Sequence, residues 1–300
     1  MAKKNPAQPV TLQPDLRKKN RSQMSLAMRR LMKNKTAILG LIIIISLILL
    51  ALFADVLFDY DEVVIKQNIA EMRQPPSLAH PFGTDELGRD ILARVVHGTR
   101  VSLSIGFTST LLASLIGGTI GAVSGYFGKR VDMIISRIMD MLLAIPGTLL
   151  AIAIVAVLGT SVTNLIMAMV ISSIPKFARI TRGAVLTVKD VEYIEAARAI
   201  GATDRTIILS HVIPNCMAPI LVEMTLNISF AILTISGLSF LGLGVEQPRP
   251  EWGAMLSSSR TYIRDYSYMA LFPGLAIMVT ILAFNLLGDG LRDALDPRLK

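Results

Sequence analysis

Apolar residues occur along this chain in long uncharged runs that are separated by short charged segments. The run at 36–54, for example, contains no charged residue and is rich in Ile and Leu. Because roughly 20 apolar residues cross a bilayer as a helix, each run predicts one membrane-spanning helix. We predict six spans, at about 36–54, 101–128, 131–159, 165–180, 216–241 and 268–288.

The third and fourth spans are predicted to be separate only because a single helix over this stretch would be too long. No charged residue occurs between 141 and 175, and one helix over this stretch would be about 52 Å long at about 1.5 Å per residue. That length exceeds the hydrocarbon thickness of a bilayer, so the pattern predicts two spans with a short turn at 160–164. Six spans place both termini on the same side of the membrane.

The basic residues are concentrated before the first span. Residues 1–36 contain ten Lys and Arg residues against one acidic residue, Asp15, and their +9 within a total of +8 leaves −1 for the rest of the chain. This bias predicts that both termini are cytoplasmic, and its position beside a span argues against a nucleic-acid-binding arm. We interpret 1–23 as a disordered basic tail, 24–35 as an amphipathic helix on the membrane surface, and 36–300 as the membrane domain.

Composition agrees with the membrane assignment and argues against several functions. The chain is 52% hydrophobic and 17% charged, whereas soluble domains carry about 25% charged residues. Its single cysteine, Cys216, excludes an internal disulfide, and its three histidines are far apart, with no ligand at metal-site spacing. The sequence contains no phosphate-binding G-x-x-x-x-G-K-[ST] motif. It also contains no recognisable combination of a catalytic nucleophile and a general base. We therefore predict a non-enzymatic membrane protein with no catalytic residue, metal or cofactor of its own.

Glycines in the second predicted span form a regular pattern. Gly117, Gly121 and Gly125 recur every four residues and therefore lie on one face of a helix. Small residues at this spacing allow the backbones of two membrane helices to approach closely. The pattern predicts a helix-packing face.

Three charged residues lie near or within the predicted spans. Arg137 and Asp140 are one helical turn apart, so we expect them to neutralise each other. Glu223 lies about two turns into the fifth span and has no partner nearby in sequence. An ionisable residue in a span is a functional hypothesis, because burying it unpaired is costly. Glu223 either faces a translocation path or is packed, hydrogen-bonded or protonated near the inner interface.

The most informative segment is a charged cytoplasmic stretch at about 185–215. Its Ala, Glu and Arg content predicts a helix, which Gly201 then interrupts. An ordinary polar helix between spans would have the same composition. The order Glu195-Ala196-Ala197, then Gly201, then an apolar-x-apolar-Pro stretch ending at Pro214 resembles the EAA loop of ABC importer permeases.

In that family the EAA loop forms a short coupling helix that docks on an ATPase subunit. The resemblance implies this role for a set of residues in the loop, which are Glu195, Ala196, Ala197, Arg198, Gly201, Ala202 and Pro214. His211 departs from the general pattern, where Ile is usual, and resembles the variant of peptide and nickel permeases. If Glu223 faces the translocation path, it would attract the amino terminus of a peptide; the packed, hydrogen-bonded or protonated alternative stays open.

Four further blocks resemble the C-type subunit of peptide permeases and occur in that family's order. They are 29–40, 83–103, 238–256 and 273–299. Two of these blocks also carry structural expectations. The charged residues of 85–94 would form an outer amphipathic helix with internal ion pairs, and Trp252 suits a helix anchored at the outer interface.

The resemblance implies an all-α polytopic membrane protein with the ABC type I importer fold, in which six transmembrane helices accompany an N-terminal amphipathic helix and a cytoplasmic coupling helix. It implies a bacterial inner-membrane subunit that pairs with a second permease as a heterodimer. Two ABC ATPase subunits would bind ATP and Mg, and an extracytoplasmic binding protein would deliver the substrate.

Short peptides are the substrate that we favour. Import of nickel or a metal chelate stays an alternative, because those permeases share all five blocks. An ion-coupled secondary transporter, from a different class, would carry several intramembrane carboxylates.

Overall fold

The computed structural model describes residues 28–295. Apart from an isolated bridge between Thr84 and Asp90, this part of the chain contains only helices, turns and irregular segments. The α-helices, in chain order, are α1 Lys35–Leu52, α2 Ala54–Leu57, α3 Ile91–Phe127, α4 Lys129–Leu143, α5 Gly147–Leu158, α6 Val162–Val188, α7 Glu192–Ala199, α8 Asp204–Ile207, α9 Ile213–Phe240, α10 Trp252–Ser259 and α11 Tyr268–Leu295. Tyr60–Ile65 and Ile208–Val212 are π-helical, and Ile69–Glu71 and Arg260–Tyr262 are 3₁₀-helical.

The all-α membrane architecture is confirmed, whereas the number of spans is not fixed. Four helical stretches of the described chain are long and apolar enough to cross a membrane, namely α1, α3, α11 and the joined stretch Asp204–Phe240. The pair α4 and α5, bent by 81°, makes five if it forms one broken span. The predicted fourth span lies in α6, whose basic residues keep it out of this set. Six spans therefore stay a prediction.

The bend between α4 and α5 lies at a proline. Leu143 ends α4, and Pro146 adopts an extended backbone with ψ of 128° before α5 begins. Proline lacks the N–H that a helix interior needs, and it disfavours helical geometry in the preceding residue. The third predicted span is therefore two helices, an amphipathic one with no buried residue and an apolar one.

The start of the chain is described only in part. The disordered tail expected at 1–23 lies outside the described residues. Of the helix expected at 24–35, residues 28–31 are helical and 32–33 form a turn. Asn34 then accepts hydrogen bonds from the backbone N–H groups of Thr36 and Ala37 at 3.1 and 3.3 Å. It is the N-cap of α1.

The most extensive helix contact in the described chain joins α3 to α6. A side chain on Gly117 would meet the Ile174 carbonyl oxygen at 2.6 Å, and one on Gly121 would overlap the Ala178 carbonyl. A side chain on Gly125 would meet the Val185 side chain at 2.9 Å and the Arg182 carbonyl oxygen at 3.1 Å. The three glycines of the sequence pattern therefore lie on the face of α3 that touches the backbone of α6.

Helix α3 starts ten residues before the predicted span. Asp90 accepts a hydrogen bond from Ala93 N at 2.8 Å and begins the helix as its N-cap. The expectation of an amphipathic helix at 85–94 is therefore wrong for 85–90, which form a turn. The expected ion pairing is present, because Asp85 Oδ2 lies 2.6 Å from Arg89 Nε and 3.4 Å from Arg94 Nε. These side chains are buried.

Trp252 is buried inside the protein, which corrects the expectation of an interfacial anchor. Its ring lies over Gly98 of α3, where an added Cβ would be 2.9 Å from Cδ1. The indole Nε1 donates to the Val95 carbonyl at 3.0 Å. The missing side chain at Gly98 creates the space that the indole fills, and α10 is thereby fixed to the N-terminal part of α3.

Glu251 precedes Trp252 and is fully buried. Its carboxylate accepts hydrogen bonds from the backbone N–H groups of Gly253 and Ala254 at 2.9 and 2.8 Å, which cap α10, and a longer one from Ser102 Oγ at 3.3 Å. Burial raises the pKa of Glu251 above its usual value, and the hydrogen bonds oppose this only in part.

We expect Gly121→Ala to destabilise the protein by about 1–3 kcal/mol, because the new methyl group would force α3 away from α6. The measurement is the apparent melting temperature of the purified protein in detergent. Gly183→Ala on α6 is the matched control, since nothing lies within 4 Å of its added Cβ. Equal melting temperatures for the two variants would contradict the close packing.

We expect the raised pKa of Glu251 to make stability fall as the pH rises. The folded protein holds this proton more tightly than the unfolded chain, so the loss begins near the ordinary carboxyl pKa and is complete above the raised one. Melting curves measured from acidic to neutral pH test this, with Glu251→Gln as the comparison. The gap between variant and wild type should change in favour of the variant as pH increases; parallel curves would show that Glu251 does not titrate in the folded protein.

Candidate coupling segment and charged membrane residues

Helix α7 follows the C-terminal end of α6 and is anchored through one side. Ile194 and Ala197 are buried, whereas the other residues of the helix are exposed. The two side chains belong to an apolar cluster with members from α3, α6, α8, the π-helical turn and α9, which are Ala122, Val185, Ile207, Val212, Cys216 and Ile220. A displacement of α7 would therefore act on the adjoining ends of three long helices.

Gly201 ends α7 in a left-handed turn. Its φ is +85°, a conformation that glycine adopts without strain. The Gly201 N–H donates to the Arg198 carbonyl at 3.0 Å and the Ala202 N–H donates to the Ala197 carbonyl at 3.1 Å. This is the Schellman pattern, which satisfies carbonyls that a helix end would otherwise leave unpaired. The sequence prediction that Gly201 interrupts the helix agrees with this geometry.

The outward side of α7 combines charged and apolar groups. Glu195, Ala196 and Arg198 are exposed, and Ile200 at the tip is 86% exposed. Sequence reasoning missed Ile200 and Tyr193, which add exposed apolar surface beside the charged groups. An apolar residue directly before a helix-ending glycine was the available signal. Such a surface suits a protein partner more than water.

Tyr126, at the C-terminal end of α3, connects α7 to α8. Its hydroxyl donates to Asp204 Oδ1 at 2.6 Å, and it accepts a hydrogen bond from Arg198 Nη2 at 3.3 Å. This hydrogen bond with Tyr126 raises the pKa of Arg198, so the guanidinium stays charged. Arg198 therefore connects the end of α7 to Tyr126 of α3. It is also part of the exposed surface of α7.

Pro214 lies at the far end of the segment. The chain from Asp204 to Phe240 is one continuous helical stretch, and a π-helical turn, Ile208–Val212, comes directly before Ile213 and Pro214. Because Pro214 lacks an N–H, it is accommodated where the helix changes from π to α geometry. The structure thus groups the residues from Glu195 to Ala202 at one turn and separates Pro214 from them along the helix.

Glu223 is buried and has a partner that the sequence did not reveal. Lys176 Nζ of α6 lies 2.6 Å from Glu223 Oε1, in an ion pair that is off the hydrogen-bonding direction. Lys176 is distant in sequence, so only the packing of α6 on α9 brings the two charges together. The Lys176 side chain is 52% exposed and covers the carboxylate.

The expected pairing of Arg137 with Asp140 is corrected by the structure. Asp140 Oδ1 instead accepts a hydrogen bond from Arg179 Nη2 of α6 at 2.8 Å. One turn further along α6, Arg182 Nη2 donates to Asp132 Oδ2 at 2.6 Å. Proximity along one helix was a poor guide here because the facing helix offers better-placed cations.

A cavity of about 290 Å³ lies between α3, α4 and α6, next to these ion pairs. Its polar lining consists of Ser124, Ser136, Asp140, Arg179 and Arg182.

The basic residues of α6 form ion pairs with acidic residues of both α4 and α9. Within the described residues, no group of three or more His, Cys, Asp or Glu side chains is placed to hold a metal ion.

Comparison with known proteins identifies the family. Residues 96–300 match the model of the binding-protein-dependent transport system inner membrane component, and residues 22–76 match the N-terminal transmembrane domain of oligopeptide transport permease C. The solved methionine ABC transporter MetNI, in an inward-facing conformation, aligns with a TM-score of 0.57 at 17% identity, over 69% of this chain and 98% of that one. That likeness concerns the fold.

Relatives of similar length support the same assignment. The dipeptide transport system permease protein DppC of Alkalihalophilus pseudofirmus is 48% identical, over 91% of this chain and 90% of that protein. The glutathione transport system permease protein GsiD of Pectobacterium atrosepticum is 46% identical, also over 91% and 90%. A putative peptide transport system permease protein of Brucella abortus is 42% identical over 96% and 95%. The chain belongs to the family of inner membrane components of binding-protein-dependent transport systems, as a permease subunit of an ABC importer.

Proposed function

We propose that this subunit forms half of a translocation path for short peptides and couples that path to separate ATPase subunits. The substrate class is supported by the relatives, whose names refer to dipeptides, glutathione and peptides. The observation that carries the coupling role is α7, a capped helix with an exposed outer side and a buried inner side. Neither the relatives nor the described geometry favours nickel import or an ion-coupled mechanism.

ATP and Mg would be bound by the partner ATPases, because this sequence has no phosphate-binding loop. ATP-driven motion of those partners would displace α7 as a rigid element, since the turn at Gly201 is fully hydrogen-bonded. Ile194 and Ala197 would pass this displacement to the apolar cluster at the inner ends of α3, α6 and α9. The importer would then alternate between two arrangements of packed helices, biased by nucleotide and by delivered substrate.

The assembly that we propose contains a second permease, two ABC ATPases and an extracytoplasmic binding protein. The bacterial inner membrane surrounds it, and both termini of this chain lie in the cytoplasm, as the positive charge before α1 favours. The segment between α2 and α3 then lies outside. Arg94 and His97 of α3 hold that segment, through contacts to the carbonyl oxygens of Val64 and Phe58 at 2.9 and 3.0 Å.

The class of transport is tested by uptake into vesicles that contain the whole assembly. We expect peptide uptake that needs both ATP and the binding protein. Uptake by this chain alone, without ATP, would overturn the assignment of coupling to partner ATPases. Mild-detergent purification followed by identification of the bound subunits tests the composition of the assembly.

The turn after α7 gives a sharper test. We expect Gly201→Val to lower peptide uptake at least tenfold while ATP hydrolysis continues, because a β-branched residue is strained at φ +85°. Gly201→Asn is the matched control, since Asn tolerates this conformation. Nothing lies within 4 Å of a Cβ added at Gly201, so steric overlap does not complicate the comparison. Equal uptake per ATP hydrolysed in both variants would contradict the role of the turn.

The exposed charge on α7 provides a second test. We expect Glu195→Lys to uncouple hydrolysis from uptake by placing a cation on the docking surface. Glu192→Lys is the control, because Glu192 is also an exposed acidic residue of the first turn and interacts with the helix dipole in the same way. The measurement is the ratio of uptake to hydrolysis in vesicles, and an equal loss in both variants would mean that only helix stability had changed.

A further inference from the structure

A polar stripe runs along one side of α6. Ser172, Lys176, Arg179, Gly183 and Thr187 follow each other at intervals of three or four residues and therefore lie on one face of the helix. The last four are exposed and Ser172 is half-buried. The opposite face of α6 packs against the glycines of α3.

Part of the stripe lies within a predicted span. Helix α6 has 27 residues, which corresponds to about 40 Å at about 1.5 Å per residue, so it extends beyond the fourth span predicted at about 165–180. Ser172, Lys176 and Arg179 lie within that span, near its cytoplasmic end, whereas Gly183 and Thr187 follow it.

Lipid cannot be the neighbour of this stripe. Helix α1 shows what a lipid-facing side looks like, because most of its exposed residues after Thr36 are apolar, with Leu39, Ile42, Ile45 and Ile48 among them. Charged side chains inside a membrane face the interior of a helix bundle or a water-filled cavity. The exposed charges of α6 therefore face either another subunit or a water-filled path in the assembled transporter.

The ion pairs on the stripe decide which charge is presented. Glu223 is buried and covered by Lys176, whose side chain is 52% exposed. The group available to a passing molecule at this level is thus an ammonium and not a carboxylate. This argues against a path-facing Glu223 carboxylate that attracts the amino terminus of a peptide, which was one of the two roles considered for Glu223. One turn towards the cytoplasm, the pair formed by Arg179 and Asp140 is exposed on both sides.

We propose that the stripe lines the translocation path and that Lys176 binds the terminal carboxylate of a peptide in transit, an inference that rests on the proposed function. The ammonium has three donors, of which Glu223 engages one at most. Lys176 can therefore bind a second carboxylate without leaving the buried Glu223 unpaired. Because Glu223 compensates the lysine charge between transport cycles, the site attracts a carboxylate weakly enough to release it.

Water access to the stripe is tested by cysteine labelling in the complete transporter. Cys216, the only cysteine, is buried and is replaced by Ser in the background chain. We expect Lys176→Cys and Gly183→Cys to react with a membrane-impermeant charged thiosulfonate reagent in at least one nucleotide state, and Ile48→Cys on α1 not to react. Gly183→Cys disturbs no ion pair, so it also reports if Lys176→Cys fails to assemble. An unreactive Gly183→Cys in assembled protein, with and without ATP, would overturn the path-lining assignment.

Recognition of the carboxylate is tested by comparing a peptide with a free carboxyl terminus to the same peptide with a terminal amide. Each is supplied already loaded on the binding protein, so only passage through the membrane subunits differs. We expect Lys176→Gln to reduce the free-acid to amide uptake ratio about tenfold, as for loss of one charge-assisted hydrogen bond, and Lys176→Arg to preserve it. Lys66→Gln, which removes an exposed ion pair with Glu62 in the outer segment, should leave the ratio unchanged.

Failure of peptide import and failure of carboxylate binding by Lys176 give different results. Wild-type vesicles that take up neither peptide with ATP would refute peptide import itself. Wild-type vesicles that import both peptides, combined with an unchanged ratio in Lys176→Gln, would refute only the role of Lys176. A changed ratio in Lys66→Gln of the same size would show that the effect is not specific to the path.

Discussion

The contact between α3 and α6 is made by backbone against backbone, because glycines remove the side chains that would keep the helices apart. Gly117 and Gly121 face the carbonyl oxygens of Ile174 and Ala178 directly. Such a contact leaves little freedom for sliding or rotation. It fixes which side of α6 is buried, and as a result it also fixes which side carries Lys176 and Arg179 outwards. The charged pairs with α4 and α9 can form only because α6 is held in this orientation.

Helix α6 therefore serves two different neighbours. On one side it is a packing element with small residues opposite it, and on the other it holds acidic residues of α4 and α9 through basic side chains. At its inner end it leads within a few residues into α7. A single helix thus connects α7, the proposed docking surface for the ATPase, with the charged residues proposed to line the path. The proposed coupling and the proposed path consequently share one rigid element.

Features that depend on neighbouring residues in sequence could be predicted, and features that depend on distant ones could not. The four-residue spacing of glycines placed Gly117, Gly121 and Gly125 on one face, and the helix-ending position of Gly201 followed from the residues around it. The partner of Glu223 could not be found, since Lys176 belongs to another helix. The pairing of Arg137 with Asp140 was wrong for the same reason. Trp252 was wrongly placed at an interface because the space above Gly98 exists only in the folded chain.

The contact of Trp252 with Gly98 has a mechanical consequence. It joins the N-terminal end of α3 to α10, whereas the C-terminal end of α3 carries Tyr126 and adjoins the apolar cluster around α7. Helix α3 has 37 residues, and its last residue lies about 44 Å from Gly98 at about 1.5 Å per residue. A tilt of about 5° around the contact with Trp252, made together with the packed α6, would displace the Tyr126 end by about 4 Å. Movement at the end of α3 next to α7 can therefore accompany an almost stationary end next to α10.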